Sequence, residues 1–222
     1  MTQTATRPDA ALIEAVRGIG TATLHEAGGQ IGALPSYIKP VSSSWYICGP
    51  ALTILSPPKD NLWLHRGIYH AKPGDVMVVD TGRFHEAGYF GEIMTHASKQ
   101  MGMEGLVIDG CVRDGQLLED LHAGGEGIPV FAAGLCIRGT TKNFDAYGAV
   151  NIPIRIGEIW VFPGDLVVGD RDGVVVVPQA RIAEVTEKAV AREEKEAGTI
   201  AFIKQGKHTV DLYGWGMEGR PQ

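Results

Sequence analysis

A nine-residue device occurs twice in this chain, as Lys72-Pro-Gly-Asp-Val-Met-Val-Val-Asp80 and, about 90 residues later, as Phe162-Pro-Gly-Asp-Leu-Val-Val-Gly-Asp170. In each, Pro-Gly sets a turn and the apolar run behind it is too short for a helix, so it reads as a buried strand. Between the copies, Gly105-Leu-Val-Ile reads as another short buried strand, which Asp109-Gly110 is expected to end in a sharp turn. Helical stretches separate these strands. The pattern is that of a layered α/β domain with mixed pairing rather than a repeat array.

The remaining elements fit that frame. Asp9 to Gly18 reads as a first helix capped near Asp9. Thr23-x-x-Glu26 matches a capping box and predicts a short helix opening there. Trp45 to Ser56 reads as one or two strands, interrupted at Gly49-Pro50. Asn61 to Ala71 suits a helix with apolar positions 62, 64, 68 and 69. Gly88 to Met101 suits another, with Ile93, Met94, Ala97 and Met101 as its apolar face. Asp114 to His122 is a further short helix, and Pro129 to Ala133 a strand. Several β-rich runs fill 152–178, with a hairpin turn at Asp172-Gly173. A long, highly charged helix, about Gln179 to Lys204, follows. No linker divides the chain, so we expect one domain over 1–222, with a core of about 21–178 and a C-terminal helix and tail at 179–222.

The formal net charge of -6 argues against nucleic acid as the main partner, because phosphate binding needs a basic surface. Cys48, Cys111 and Cys136 are widely spaced, with no CxxC, so a reducing cytoplasm is the expected compartment. The polar start, Met1 to Asp9, has no apolar signal core, and no apolar run approaches the ~18 residues of a membrane span.

Several apparent motifs lack the context they need. Gly214-Trp-Gly-Met-Glu-Gly219 fits GxGxxG but follows no βαβ unit. His65 and His70 are five apart, which is not one helical face, and the other histidines show no zinc spacing. There is neither a phosphate-binding GxxxxGK[ST] loop nor a GxSxG elbow. Any metal is therefore expected to be oxygen-bound, as magnesium or manganese.

One constellation remains. Gly91 is expected in the first turn of its helix, where free N–H groups and the dipole make an anion site. Arg113 and Asp114 follow the Gly105 strand, at the strand end where α/β layers meet ligands. Arg113 offers a fork of donors for a carboxylate, and Asp114 offers oxygens for a hard cation. If helix and strand pack side by side, both face one pocket, suited to a 2-oxo acid. The alternative is that Arg113 pairs with a nearby acid and Asp114 caps the helix after it.

Glu92, then twenty residues, then Arg113-Asp114 within Gly105-Leu-Val-Ile-Asp-Gly-Cys-Val-Arg-Asp resembles the class II pyruvate aldolases of the 4-hydroxy-4-methyl-2-oxoglutarate / 4-carboxy-4-hydroxy-2-oxoadipate type. These share a fold with regulator of ribonuclease activity A. The family often has Asp where this chain has Glu92, one methylene longer. Thr21 to Glu26, Arg192 to Glu196 and Asp211 to Tyr213 resemble the family's terminal segments, so the likeness spans about Thr21 to Tyr213. The resemblance implies a swivelling β/β/α sandwich assembled as a homotrimer or homohexamer. It implies Mg2+ or Mn2+ on Asp114, with Arg113 on the enolate and carboxylate and Glu92 orienting metal-site water. Gly91, Glu92, Ile93, Met94 and Arg113 would bind the substrate. Glu26 and Glu193 or Glu194 would come from a neighbouring subunit, a role that competes with the capping reading of Glu26. The implied reaction is retro-aldol cleavage to pyruvate and a second oxo acid, with oxaloacetate decarboxylation at the same site. Lys142, Asn143 and Arg83 are candidates for selecting the 4-substituent. The rival class is a protein-binding regulator of a ribonuclease. A methyltransferase is a third, with no cofactor loop to support it.

Overall fold

The computed structural model describes residues 6–215, so most of the GxGxxG match at 214–219 lies outside the described residues. In chain order the helices and strands are α1 (Ala10–Val16), α2 (Thr21–Ala27), β1 (Lys39–Pro40), β2 (Ile47–Leu55), α3 (Leu62–Ile68), β3 (Val76–Asp80), α4 (Glu92–Gln100), β4 (Gly105–Val112) and α5 (Gly115–Ala123). There follow β5 (Val130–Leu135), β6 (Ala149–Val150), β7 (Ile154–Ile156), β8 (Ile159–Val161), β9 (Leu166–Asp170) and β10 (Gly173–Val177). A 3-10 turn at Gln179–Arg181 then leads into α6 (Ile182–Lys204) and α7 (Thr209–Leu212).

The main sheet runs β1-β5-β4-β3-β2-β9-β10, with β6 beside β2. Strands β2 to β5 are parallel neighbours, linked through α3, α4 and α5. The hairpin β9–β10 is antiparallel, as the Asp172-Gly173 signal predicts, and β9 also runs antiparallel to β2. The chain before β2 nearly closes the sheet. Leu34 N–H donates to Val174 C=O at 2.9 Å, and β1 then pairs with β5. The result is a mixed α/β fold with a nearly closed sheet and a long C-terminal helix, in line with the sandwich expected from the sequence.

The repeated Pro-Gly-Asp device explains how β2 holds both halves. Ile47 to Pro50 pair with β9, and Ala51 to Leu55 pair with β3. The expected break at Gly49-Pro50 is therefore a change of partner inside one continuous strand. Pro50, which has no N–H, sits at the changeover, and a Cβ on Gly49 would lie 2.3 Å from Gly74 O, in the first Pro-Gly turn. In the second copy, Ala51 N–H donates to Asp165 C=O at 2.8 Å. Each device closes on its own aspartate: Asp75 accepts from Lys72 N–H at 2.8 Å and Asp165 from Phe162 N–H at 2.9 Å.

Two apolar clusters follow from this layout. The larger packs β2 to β5 against α3, α4 and α5, with Leu106, Val107, Ile108, Val130 and Phe131 fully buried. The smaller packs α1, α2 and the first part of α6 against β9 and β10, through Val16, Leu24, Leu166, Val168, Ile182 and Val185. Replacing a fully buried aromatic such as Phe131 by Ala would cost about 3–5 kcal/mol. Among the described residues, no helix is long and apolar enough to cross a membrane.

Several helix boundaries differ from the sequence reading. Asp9 caps α1 as expected, accepting from Ala11 N–H at 2.8 Å. The expected capping box does not form, because α2 begins two residues earlier at Thr21. Asp170 at the β9 turn accepts from Thr21 N–H and hydroxyl, at 2.8 and 2.7 Å, so a distant carboxylate does the capping and Thr23 lies inside the helix. Helix α3 ends at Ile68 and leaves Tyr69 exposed rather than on the apolar face. Helix α4 starts at Glu92 rather than Gly88, because 88–90 is extended and bonded to β4. Its buried face is Met94, Thr95 and Ser98, while Ile93 is 75% exposed. The turn expected at Asp109-Gly110 is absent. Strand β4 runs through both residues, and the irregularity appears instead as a register shift against β5 between Ile108 and Cys111.

Candidate functional site

The chain reaches the carboxyl end of β4 with three consecutive devices. Tyr89 N–H donates to Cys111 C=O and Arg113 N–H to Phe90 C=O, both at 2.9 Å, so 88–90 is zipped along the strand end. Asp114 then adopts φ 60 and ψ 35, a left-handed conformation that Asp tolerates better than most residues. That turn aims its side chain away from the helix it precedes. Asp114 occupies the N-cap position of α5 but makes no side-chain cap bond there. Its Oδ2 instead accepts from Glu92 N–H at 3.2 Å, at the start of α4, and lies 3.5 Å from Arg113 Nε. The expectation that Asp114 caps its own following helix is therefore corrected: it meets the neighbouring one. Arg113 does pair with a nearby acid, and that acid is Asp114.

Gly91 is the N-cap of α4, one residue outside the first turn where the sequence placed it. Its φ of −164 is open to any residue, so space is what selects glycine here. A Cβ would lie 2.4 Å from Asp114 Oδ2 and 3.1 Å from Arg113 Cγ. The N–H groups of Ile93 and Met94 have no partner within the helix, as at any helix start, and both residues line the same cleft as Arg113. That cleft holds about 260 Å³.

The other wall comes from α3 and 139–142. Asn61 and His65, one helical turn apart, face the cleft, as do Thr140 and Lys142. Asn61 Nδ2 donates to Tyr89 C=O at 2.9 Å, while its buried Oδ1 has no hydrogen-bond partner. Buried Asp60 holds the loop in place: its Oδ2 accepts from Thr141 hydroxyl at 3.1 Å and from Asn143 N–H at 2.5 Å. Burial pushes the His65 imidazole below its ordinary value, and the Lys142 cation adds to that, so this ring is neutral at pH 7.

The sequence-predicted residues thus divide. Gly91, Glu92, Ile93, Met94, Arg113 and Asp114 come together, and Lys142 faces them. Asn143 contributes its backbone to Asp60 and does not line the cleft. Arg83 lies elsewhere, 3.9 Å from Asp109, which corrects its candidacy for selecting a substituent at this cleft. Glu26, Glu193 and Glu194 do not line the cleft of their own chain. Glu26 on α2 pairs with Arg192 on α6, and Glu193 and Glu194 are exposed on the same helix. Asn61 and His65 were missed by the sequence reading. Their spacing of four on one helix was the available signal, and His65 was tested only against His70.

As a metal centre the donor set is sparse. No group of three His, Cys, Asp or Glu side chains that could hold a metal occurs among the described residues. Asp114 is a single carboxylate, 32% exposed, beside a cleft open to small ligands. That fits magnesium, which keeps several waters and takes one or two carboxylates plus ligand oxygens.

Known proteins resemble this chain over most of its length. The sequence model of the RraA-like family, described as Aldolase/RraA, matches residues 9–176. A protein of Halalkalibacterium halodurans named "Putative 4-hydroxy-4-methyl-2-oxoglutarate aldolase" is 33% identical over 197 residues, covering 89% of this chain and 90% of that one. A protein of the same name from Albidiferax ferrireducens is 30% identical, covering 68% of this chain and 88% of its own. Among solved structures, Streptomyces coelicolor RraAS2, described as an unusual member of the RNase ES inhibitor RraA family, matches with a TM-score of 0.74 at 27% identity. That match covers 88% of this chain and 99% of RraAS2.

Proposed function

The chain belongs to the RraA-like family, and from that premise we propose that it is a carbon–carbon lyase: a divalent-metal-dependent aldolase that cleaves 4-hydroxy-2-oxo acids to pyruvate. The observation that carries this reading is that Arg113 and the open start of α4 line one cleft, with Asp114 bonded to that helix start beside it. A regulator that acts by covering another protein has no use for a glycine kept bare so that a carboxylate can reach a helix start. The aldolase names of relatives at 30% and 33% identity support the same class.

Asp114 would hold Mg2+ or Mn2+, with water and substrate oxygens completing the shell. When bound, the ion supplies Lewis acidity to the 1-carboxylate and 2-keto oxygen of the substrate. The chain's own residues do the rest. The free N–H groups of Ile93 and Met94 bind the carboxylate. Arg113 donates to the keto oxygen, where charge gathers as the C3–C4 bond breaks. Glu92, on the first turn of α4, takes the 4-hydroxyl proton through water. The C3–C4 electron pair passes into the pyruvate enolate, and a proton returned to C3 gives pyruvate. From 4-hydroxy-4-methyl-2-oxoglutarate the second product is also pyruvate, and from 4-carboxy-4-hydroxy-2-oxoadipate it is oxaloacetate. Oxaloacetate loses CO2 through the same enolate, so decarboxylation follows as a side activity.

The assembly is a homotrimer or homohexamer in which α6 reaches a neighbour. Its buried residues end at Ala189, while Val190, Ile200 and Ile203 are exposed on the part beyond, next to Glu193 and Glu194. Around the cleft, Ile93, Leu135 and Ile137 are exposed as well, Ile137 by 96%. Glu26 and Glu193 or Glu194 of one copy would complete the site of the next. A lactate dehydrogenase-coupled assay of pyruvate release tests the reading. We expect release from 4-hydroxy-4-methyl-2-oxoglutarate with magnesium and none after chelation. No release with any divalent metal, together with tight binding to a ribonuclease, would favour the regulator.

A further inference from the structure

Strand β4 carries an acid, Asp109, for which the proposed reaction has no use. It is fully buried. Its Oδ1 accepts from Tyr37 hydroxyl at 2.9 Å and lies 3.2 Å from His85 Nε2. Among the described residues its Oδ2 has no hydrogen-bond partner, and Arg83 Nε stands 3.9 Å away. The backbone of Asp109 also accepts from Thr81 hydroxyl. Leaving a buried carboxylate oxygen without a donor costs on the order of 1–3 kcal/mol, so the arrangement needs a reason.

The reason lies in what Asp109 gathers. Thr81, Arg83 and His85 all belong to the connection from β3 to α4. That connection next supplies the 88–90 segment zipped onto Cys111 and Arg113, and then Gly91 and the start of α4. Arg83 is held at φ 58, a left-handed conformation unusual for an arginine, which a free loop would relax. Tyr37 comes from the opposite side, and its ring meets His85 edge-on with centroids 5.3 Å apart. Burial, then the bond to Asp109, pushes the Tyr37 hydroxyl up to about 12, so it stays a donor. Asp80, the register partner of Asp109 on β3, is raised by burial, against the Gly82 N–H that lowers it, and Asp109 adds a smaller rise. One carboxylate thus stands where two loops and two strands meet, at the root of the segment that forms one wall of the cleft.

We propose that Asp109 is a positioning residue: through His85 and Arg83 it fixes the 81–91 connection so that the helix start at Gly91 stays aimed at Arg113 and Asp114. This rests on the aldolase reading for its effect on ligand, but its effect on the connection does not. It touches no substrate and acts through the backbone it anchors. Arg83, 60% exposed and just out of bonding range, is the adjustable member of the anchor.

Asp109→Asn, which keeps shape and removes charge, is the main test, with Arg83→Ala as a surface variant that will fold. Hydrogen exchange should rise about tenfold in 81–91 while β3 and the first half of β4 stay protected. Pyruvate binding in magnesium should weaken about tenfold, with KM rising more than kcat falls. Arg83→Ala should show part of each effect, and add little in the Asp109→Asn background. Unchanged exchange in a folded Asp109→Asn, or exchange rising evenly over the sheet, would overturn the proposal. If Asp109→Asn does not fold, Arg83→Ala decides by the same criteria. If wild type binds no pyruvate but exchange responds as stated, the aldolase reading fails and the positioning role stands.

Discussion

Two hollows of similar size lie one in each half of this sheet. One, about 260 Å³, opens at the carboxyl end of β4; the other, about 230 Å³, lies between α2 and β10. The first is lined by Arg113, Lys142, His65, Asn61 and the start of α4. The second is lined mostly by small or apolar residues such as Ala22, Ala33, Leu34 and Val174. Its His25 is already spoken for, 2.6 Å from Ile31 C=O of its own loop. Volume therefore does not separate them; strand direction does. In the parallel half, each strand returns through a helix, so strand ends and helix starts gather on one side. In the antiparallel half, β9 turns directly into β10, and the helix start that reaches the hollow, Thr21 of α2, is already capped by Asp170.

The comparison can be broken first at Asp114. Asp114→Ala should lower magnesium-dependent pyruvate release by about 10²–10³ or more, with little change in melting temperature. Metal-dependent turnover surviving in that variant would remove Asp114 from the metal site. Leu166→Ala, in the antiparallel half, should do the reverse. Its side chain is fully buried, so the loss is about 2–5 kcal/mol by denaturant titration, with kcat per folded molecule unchanged. A smaller effect on both axes is expected for Gly91→Ala. Its Cβ must displace Asp114 Oδ2, so stability falls by about 1–3 kcal/mol and activity falls with it, read by melting and turnover on one sample.

The smallest effect concerns the paired turns that join the halves. Burial raises the Asp165 carboxyl above its ordinary 3.8, against the N–H groups of Phe162 and Gln179 that lower it. An acid raised on folding stabilises most when both states are protonated, and that contribution is lost as pH rises through the folded value. Stability should therefore dip as pH climbs from the ordinary carboxylate range through the raised value. Asp165→Asn should flatten that dip in a pH series of unfolding curves.

Much of this was legible in the sequence where local chemistry decides. The Pro-Gly-Asp turns, the Asp9 cap, the Asp172-Gly173 hairpin and the long C-terminal helix all depend on neighbours within a few residues. The residues of the Glu92 to Arg113-Asp114 spacing do come together, because the start of α4 lies beside the turn that follows β4. What failed was non-local. The start of α2 is set by Asp170, about 150 residues away, which no capping pattern shows. Segment 88–90 looks helical but is captured by β4 as an extended strip. Asp109-Gly110 carries a turn signal, yet burial between β3 and β5 keeps it in the strand. Asn61 and His65 enter the cleft because Asp60 draws 139–143 over them, a closure that depends on residues about 80 positions apart.

Under the proposed aldolase chemistry, Arg113 meets charge on the reacting oxygen with a fork of donors, not as a point cation. Turnover of 4-hydroxy-4-methyl-2-oxoglutarate by Arg113→Lys with saturating magnesium tests it most directly. A loss of about 10²–10³ in kcat with an unchanged melting temperature is expected. Turnover close to that of the unaltered chain would contradict it.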